Sequence, residues 1–157
     1  MASFGPTVLR IAAGVIFAAH GAQKLFGFGG GGGLTGTAAF FEQLGLSPAF
    51  VLAMAIGVAE LAGGVLLIAG LFTRIAAGVL AVDMLVAVWK VHLAHGFFLN
   101  WTNTPGAGHG YEFNLALIAV LASLILTGPG ALSIDRSKAQ EAETEAAARA
   151  RLRSGAV

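Results

Sequence analysis

Four apolar stretches, residues 7–26, 49–71, 75–95 and 113–132, run through this chain with only a few ionisable side chains among them. A helix needs about 20 predominantly apolar residues to cross the hydrocarbon core of a bilayer, and each stretch reaches that length. Lipid offers no partner to a backbone N–H or C=O, so only helices and closed barrels can span it. The apolar/polar alternation of a barrel strand is absent, and every stretch is an unbroken apolar run. The sequence therefore predicts an all-α membrane protein, a bundle of four transmembrane helices. Pro6 and Pro48 open the first two stretches, where a missing N–H is harmless, and Gly128-Pro129-Gly130 breaks the fourth.

Charge divides the chain in two. It is 57% hydrophobic and 11% charged, against about 25% charged in ordinary soluble domains. Nine of its seventeen charged residues lie from Asp135 onward, leaving eight for the first 134 positions. This predicts a membrane domain over residues 1–135 and a charged tail over 136–157. The tail reads as a soluble helix, with Glu141, Glu143 and Glu145 ahead of Arg149, Arg151 and Arg153 and an i,i+4 pair between Glu145 and Arg149. The net charge of +1 and the lack of a basic cluster in the body exclude nucleic acid as a partner. With no cysteine, any redox role needs a bound cofactor or a partner. Arg10 ahead of the apolar run 11–19 has the look of a signal peptide, but His20 and Lys24 follow at once and no small-x-small cleavage site stands out.

Basic residues near span ends set orientation. Arg10, Arg74 and the five basic residues of the tail fall on one side, while the connections 27–47 and 96–110 contain no Lys or Arg. Both termini are therefore expected in the cytoplasm and these two loops outside. Lys24 and Lys90 oppose that assignment and are outnumbered. The first outer loop opens with five glycines, Gly29 to Gly33, which lack the Lys-Ser/Thr ending of a phosphate-binding loop and read as a hinge. A short amphipathic segment follows, residues 34–44, suited to the membrane surface. The second carries Phe97, Phe98 and Trp101 at the level of an aromatic belt.

Intramembrane carboxyls call for a partner or a function, because a charge at mid-bilayer costs at least about 2.5 kcal/mol. Ala53, Gly57, Glu60 and Gly64 follow a helical stripe, so Glu60 points toward a close helix neighbour. Asp83 and Lys90 are seven apart and share a face. Arg10, His20 and Lys24 fall within an arc of about 80° on the first helix. Glu112, Ala116, Ala119 and Ser123 form a fourth stripe. The candidates for a polar pocket are thus His20, Lys24, Glu60, Asp83, Lys90 and Glu112. Interhelical ion pairing alone would also account for these groups. A pocket of this kind can hold a quinone head group, relay protons or pass a small solute. Metal or haem ligation by His20 with His92 or His95 lacks an HxxxH or ExxH pair, and His92 falls opposite Asp83 on an ideal helix. No catalytic residue is assigned.

Leu9-Arg10, Gly14, Phe17, His20-Gly21 and Lys24-Leu25-Phe26-Gly27, then Glu60-Leu61-Ala62-Gly63-Gly64 and Leu71-Phe72-Thr73-Arg74, and finally Gly110-Tyr111-Glu112 and the run Gly128 to Asp135, resemble in order and spacing the DoxX family of membrane proteins. The resemblance covers residues 8–135. It implies a four-helix inner-membrane protein, either a subunit of a quinone-linked oxidoreductase or a membrane partner of a redox enzyme. The reading is a cytoplasmic-membrane protein of redox metabolism whose cofactor, if any, is a quinone. Its rivals are a non-enzymatic anchor or assembly subunit and a small-solute or proton transporter. Association with a second copy, and catalysis by this chain alone, stay open.

Overall fold

The computed structural model describes residues 4–154 of the chain; residues 1–3 and 155–157, at the outer ends of the two expected segments, lie outside them. The described residues are helical with no strand. In order they form α1 (Gly5–Phe26), α2 (Gly33–Gln43), α3 (Ala49–Ala69), α4 (Thr73–Ala87), α5 (Glu112–Thr127) and α6 (Ile134–Ser154). Beyond α4 the helix continues as a π turn over Val88–His92 and a 3-10 turn over Leu93–His95. Three helices are long and apolar enough to cross a membrane: Gly5–Phe26, Ala49–Ala69 and Thr73–His95.

The fourth expected span is shorter than its apolar run. Gly128, with φ 82°, and Pro129 end α5 after 16 residues, about 24 Å of helix against a core of about 30 Å.

The closest packing joins α1 to α3. A Cβ on Gly14 would sit 2.7 Å from the Gly64 carbonyl oxygen, and one on Gly64 would sit 2.6 Å from the Gly14 carbonyl oxygen. Lipid supplies no hydrophobic drive between helices, so such small-residue contact, which lets two backbones touch, is what gains dispersion energy. A second layer, α5 against α4, buries Leu80, Met84, Leu117, Leu121 and Leu124 with Phe17 and Leu67. On α5 the buried face is Asn114, Leu117, Leu121 and Leu124, whereas Ala116 and Ala119 are exposed. The expected stripe from Glu112 to Ser123 is thus not the inner one: large Leu side chains take the core and the alanines face outward.

The end of the bundle near both termini is closed by polar contacts. Arg10, 1% exposed, donates from Nη1 to the carbonyls of Leu67 and Ile68, both at 2.6 Å, and from Nη2 to that of Leu132 at 3.0 Å. At the end of α3 it thus adds a donor to the Leu67 carbonyl, which also accepts the Gly70 N–H at 3.1 Å, and supplies one to the Ile68 carbonyl. The Asp135 carboxylate accepts from the N–H groups of Phe72 and Thr73 at 2.8 and 2.9 Å, capping the start of α4. Thr7 Oγ1 donates to the Ala131 carbonyl at 2.6 Å. The motif segments around Arg10, residues 71–74 and residues 128–135 therefore meet at one place.

The glycine run does more than hinge. Gly27, Gly29, Gly30 and Gly33 all have φ between 61° and 86°, left-handed backbone that side chains disfavour, and the reversal returns α2 onto α3. There Ala38 and Phe41 of α2 pack with Ala49 and Ala53. The second loop closes on itself: Gly110, Tyr111 and Glu112 donate backbone N–H groups to the carbonyls of Phe98, Gly96 and Phe97. From Ser137 to Ser154, α6 is exposed throughout.

Candidate functional site

At the end of the bundle away from the termini, the C-terminal half of α1, the N-terminal half of α3, the π segment after α4 and the start of α5 diverge around a cavity of about 780 Å³. Helix α2 and the loop residues Leu99 and His109 cover it. Its polar groups come from α1 (His20, Gln23, Lys24), α3 (Glu60), α4 and the turn beyond it (Asp83, Lys90, His92), and Asn114 of α5. Apolar side chains supply the rest of the wall, among them Ile16, Phe17, Phe41, Ile56 and Met84.

In its floor Lys24 Nζ lies 2.5 Å from Glu60 Oε2. Glu60 is 2% exposed, because the glycines beside it on α3 bring α1 close enough for Lys24 to reach. Thr37 of α2 donates to the Lys24 carbonyl at 3.2 Å, tying the covering helix to the same turn of α1. Asp83 lines the same cavity as Glu60 and Lys24, and its Oδ2 is buried without a hydrogen-bond partner. One ammonium and two carboxyl groups thus line one largely apolar cavity, an arrangement able to hold a proton or to present a donor to a carbonyl ligand.

Five of the six expected pocket residues line this cavity: His20, Lys24, Glu60, Asp83 and Lys90. Glu112 does not. Its carboxylate accepts the Leu99 N–H at 2.9 Å, so it fastens the second loop. Lys90 Nζ lies 4.0 Å from the centre of the Trp89 ring. His92 faces the cavity, contrary to the ideal-helix expectation. The π turn over Val88–His92 puts more residues in each turn than an α-helix does and so rotates His92 toward the side of Asp83. Its Nδ1 is 2.8 Å from the His109 carbonyl oxygen. His95 stands away from the cavity, beside Gly108. Among the described residues no three His, Asp or Glu side chains are grouped to hold a metal ion.

Sequence reasoning placed His109 at the outer rim, where it does line the cavity, and missed Asn114, Gln23 and Thr37. Asn114 was legible as a lone amide in an apolar helix and Gln23 as a polar residue between His20 and Lys24 on α1, whereas Thr37 depends on where α2 folds back.

These helices and this cavity define an all-helical membrane protein with a charged pocket inside its bundle. The chain belongs to the DoxX family, whose model matches residues 5–93, from α1 to the π segment. It is 35% identical over 131 residues to CatD of Bacillus subtilis, described as a putative oxidoreductase, covering 83% of this chain and 84% of that one. It is 32% identical over 140 residues to an uncharacterized membrane protein of Mycobacterium tuberculosis, covering 85% and 81%. An uncharacterized protein of Haemophilus influenzae is 32% identical over 131 residues, covering 81% and 85%. No solved structure matches the chain.

Proposed function

We propose that this chain is a four-span protein of the cytoplasmic membrane that binds a lipid-soluble quinone in the cavity and serves as a quinone-linked or accessory subunit of membrane redox metabolism. The observation that carries the reading is the joining, in one cavity of about 780 Å³, of apolar walls with the Lys24–Glu60–Asp83 floor. That volume falls in the range of small-molecule sites, about 300–1,000 Å³, which combine apolar walls with a few polar groups. The residues fit the group. Lys24 and His20 donate to a carbonyl oxygen, Glu60 and Asp83 offer proton-accepting oxygens, and Phe17, Ile56 and Met84 flank the ring and tail. A bound quinone would supply the electron-accepting chemistry that a chain without cysteine lacks. The oxidoreductase description of the Bacillus subtilis relative supports a redox role.

In this reading α5 is the fourth span, its 16 residues lengthened by the non-helical segment up to Ser133. Residues 1–135 form the membrane domain and 136–157 a cytoplasmic tail. The cavity then lies toward the outer face. The alternative of an anchor or assembly subunit draws on a specific feature, the Lys24–Glu60 pair, which satisfies itself with no ligand. Extraction of the purified protein followed by mass analysis separates the two. The quinone reading expects a near-stoichiometric quinone in the extract, and a protein that neither retains one nor takes one up from added quinone refutes it.

A further inference from the structure

Helix α6 leaves the bundle with every residue from Ser137 to Ser154 exposed, and its charges are ordered. Glu141, Glu143 and Glu145 lie on one side of Ala147, and Arg149, Arg151 and Arg153 lie at the mirrored distances on the other. Reading the segment backward replaces each acid by a base. Beyond its fit to the helix dipole, side-chain pairing within the helix makes little use of this order: Glu145 and Arg149 approach to only 3.9 Å with both side chains more than 70% exposed, and the other mirrored pairs are eight and twelve residues apart, beyond the i,i+4 reach of side chains.

We propose that α6 is a self-association element, pairing antiparallel with α6 of a second copy about a two-fold axis at Ala147. In that arrangement the stripe Glu141, Glu145, Arg149 and Arg153, spaced four apart along one face of the helix, opposes its own reversed copy: Glu141 meets Arg153 and Glu145 meets Arg149, and the same pairs recur across the axis, four in all, while Glu143 and Arg151 fall on the other face. A parallel pair sets Glu against Glu and Arg against Arg, so the charge order selects one direction. Leu152, 76% exposed, comes opposite Ala142 of the second copy, while Ala146 and Ala148 flank the crossing point without bulk. A two-fold axis along the membrane normal keeps both bodies in one bilayer and makes the two α6 helices antiparallel as they run along the membrane face.

The test uses the full chain in detergent, with mass measured by light scattering or native mass spectrometry. Wild type should be a dimer that dissociates as salt rises, because exposed pairs are screened. The triple variants Glu141→Arg/Glu143→Arg/Glu145→Arg and Arg149→Glu/Arg151→Glu/Arg153→Glu should each be monomeric, and their equimolar mixture should restore the dimer. Direction is read independently by single cysteines in this cysteine-free sequence. A short bis-maleimide should join two copies of Ala148→Cys, beside the axis, and not of Ser137→Cys, whose Cα atoms stand about 30 Å apart along an antiparallel pair. A monomeric wild type overturns the proposal. So does a dimer that either triple variant leaves intact, a mixture that stays monomeric while the basic variant binds anionic vesicles, or equal cross-linking at both cysteine positions.

Discussion

Glu60 is held in the bundle by a single basic partner, so what its replacement costs depends on what is left behind. Glu60→Gln keeps the volume and a hydrogen-bond acceptor for Lys24. Glu60→Ala leaves the Lys24 ammonium without its partner, and breaking a buried pair from one side costs about 3–5 kcal/mol. Thermal melts of the two variants in detergent should therefore place the alanine variant well below the glutamine one; equal melting temperatures would show that the pair contributes nothing to the fold. The inward direction of Glu60 was legible because Ala53, Gly57 and Gly64 mark the α3 face that meets α1. Arg10 was not. It reads from sequence as a basic residue at a span end, yet its partners are backbone carbonyls at Leu67, Ile68 and Leu132. Carbonyls belong to every residue and leave no trace in composition.

Among the elements, α1 and α3 form the rigid half of the cavity, since glycine contact fixes their separation. Gly64→Val places branched carbons where the Gly14 carbonyl and the Ala18 backbone stand. Overpacking of this kind usually costs about 1–3 kcal/mol. The variant should melt lower than Gly78→Val on α4, where a Cβ meets nothing within 4 Å; similar melting of the two would refute the close approach. Helices α1, α3 and α4 were predictable from apolar length, and the short amphipathic helix α2 from its mixed faces. The π turn after α4 left no such signal, because an i→i+5 segment uses the same residues as an α-helix. For α5 the apolar composition continued past the point where Gly128 and Pro129 stop the helix, so hydropathy overran the true end. On the same helix a stripe of alanines looked like an interface by size alone, whereas the larger leucines beside it fill the core.

As a whole molecule, the protein has one end closed by Arg10, Asp135 and the 128–135 segment and the other opened around a charged cavity under α2. The proposed orientation, drawn from the Lys/Arg asymmetry of the connections, puts the closed end in the cytoplasm. Cysteines at Ser154 and Thr104 report it directly: an impermeant thiol reagent applied to intact cells should label Thr104→Cys and leave Ser154→Cys untouched, and the reverse pattern would invert the assignment. The existence of a polar interior was legible from five side chains. Its roof was not, because the roof depends on how two loops without a hydropathy signature fold back over the bundle. Helix α2 packs against α1 and α3 with no comparable packing on α4 or α5, and the wall residues Phe40, Val86 and Phe113 are exposed rather than buried in the bundle. The cavity is thus within reach of a ligand arriving from the lipid. The central claim, that its charged floor holds such a ligand, is tested most directly by quinone occupancy measured beside thermal stability for wild type, His20→Ala and Lys24→Ala. The account predicts at least a tenfold loss of retained quinone in the lysine variant, measured below a melting temperature that the unpaired Glu60 carboxyl lowers, and a smaller loss for His20 at the rim with its melting temperature unchanged. Unchanged occupancy in both variants would contradict it.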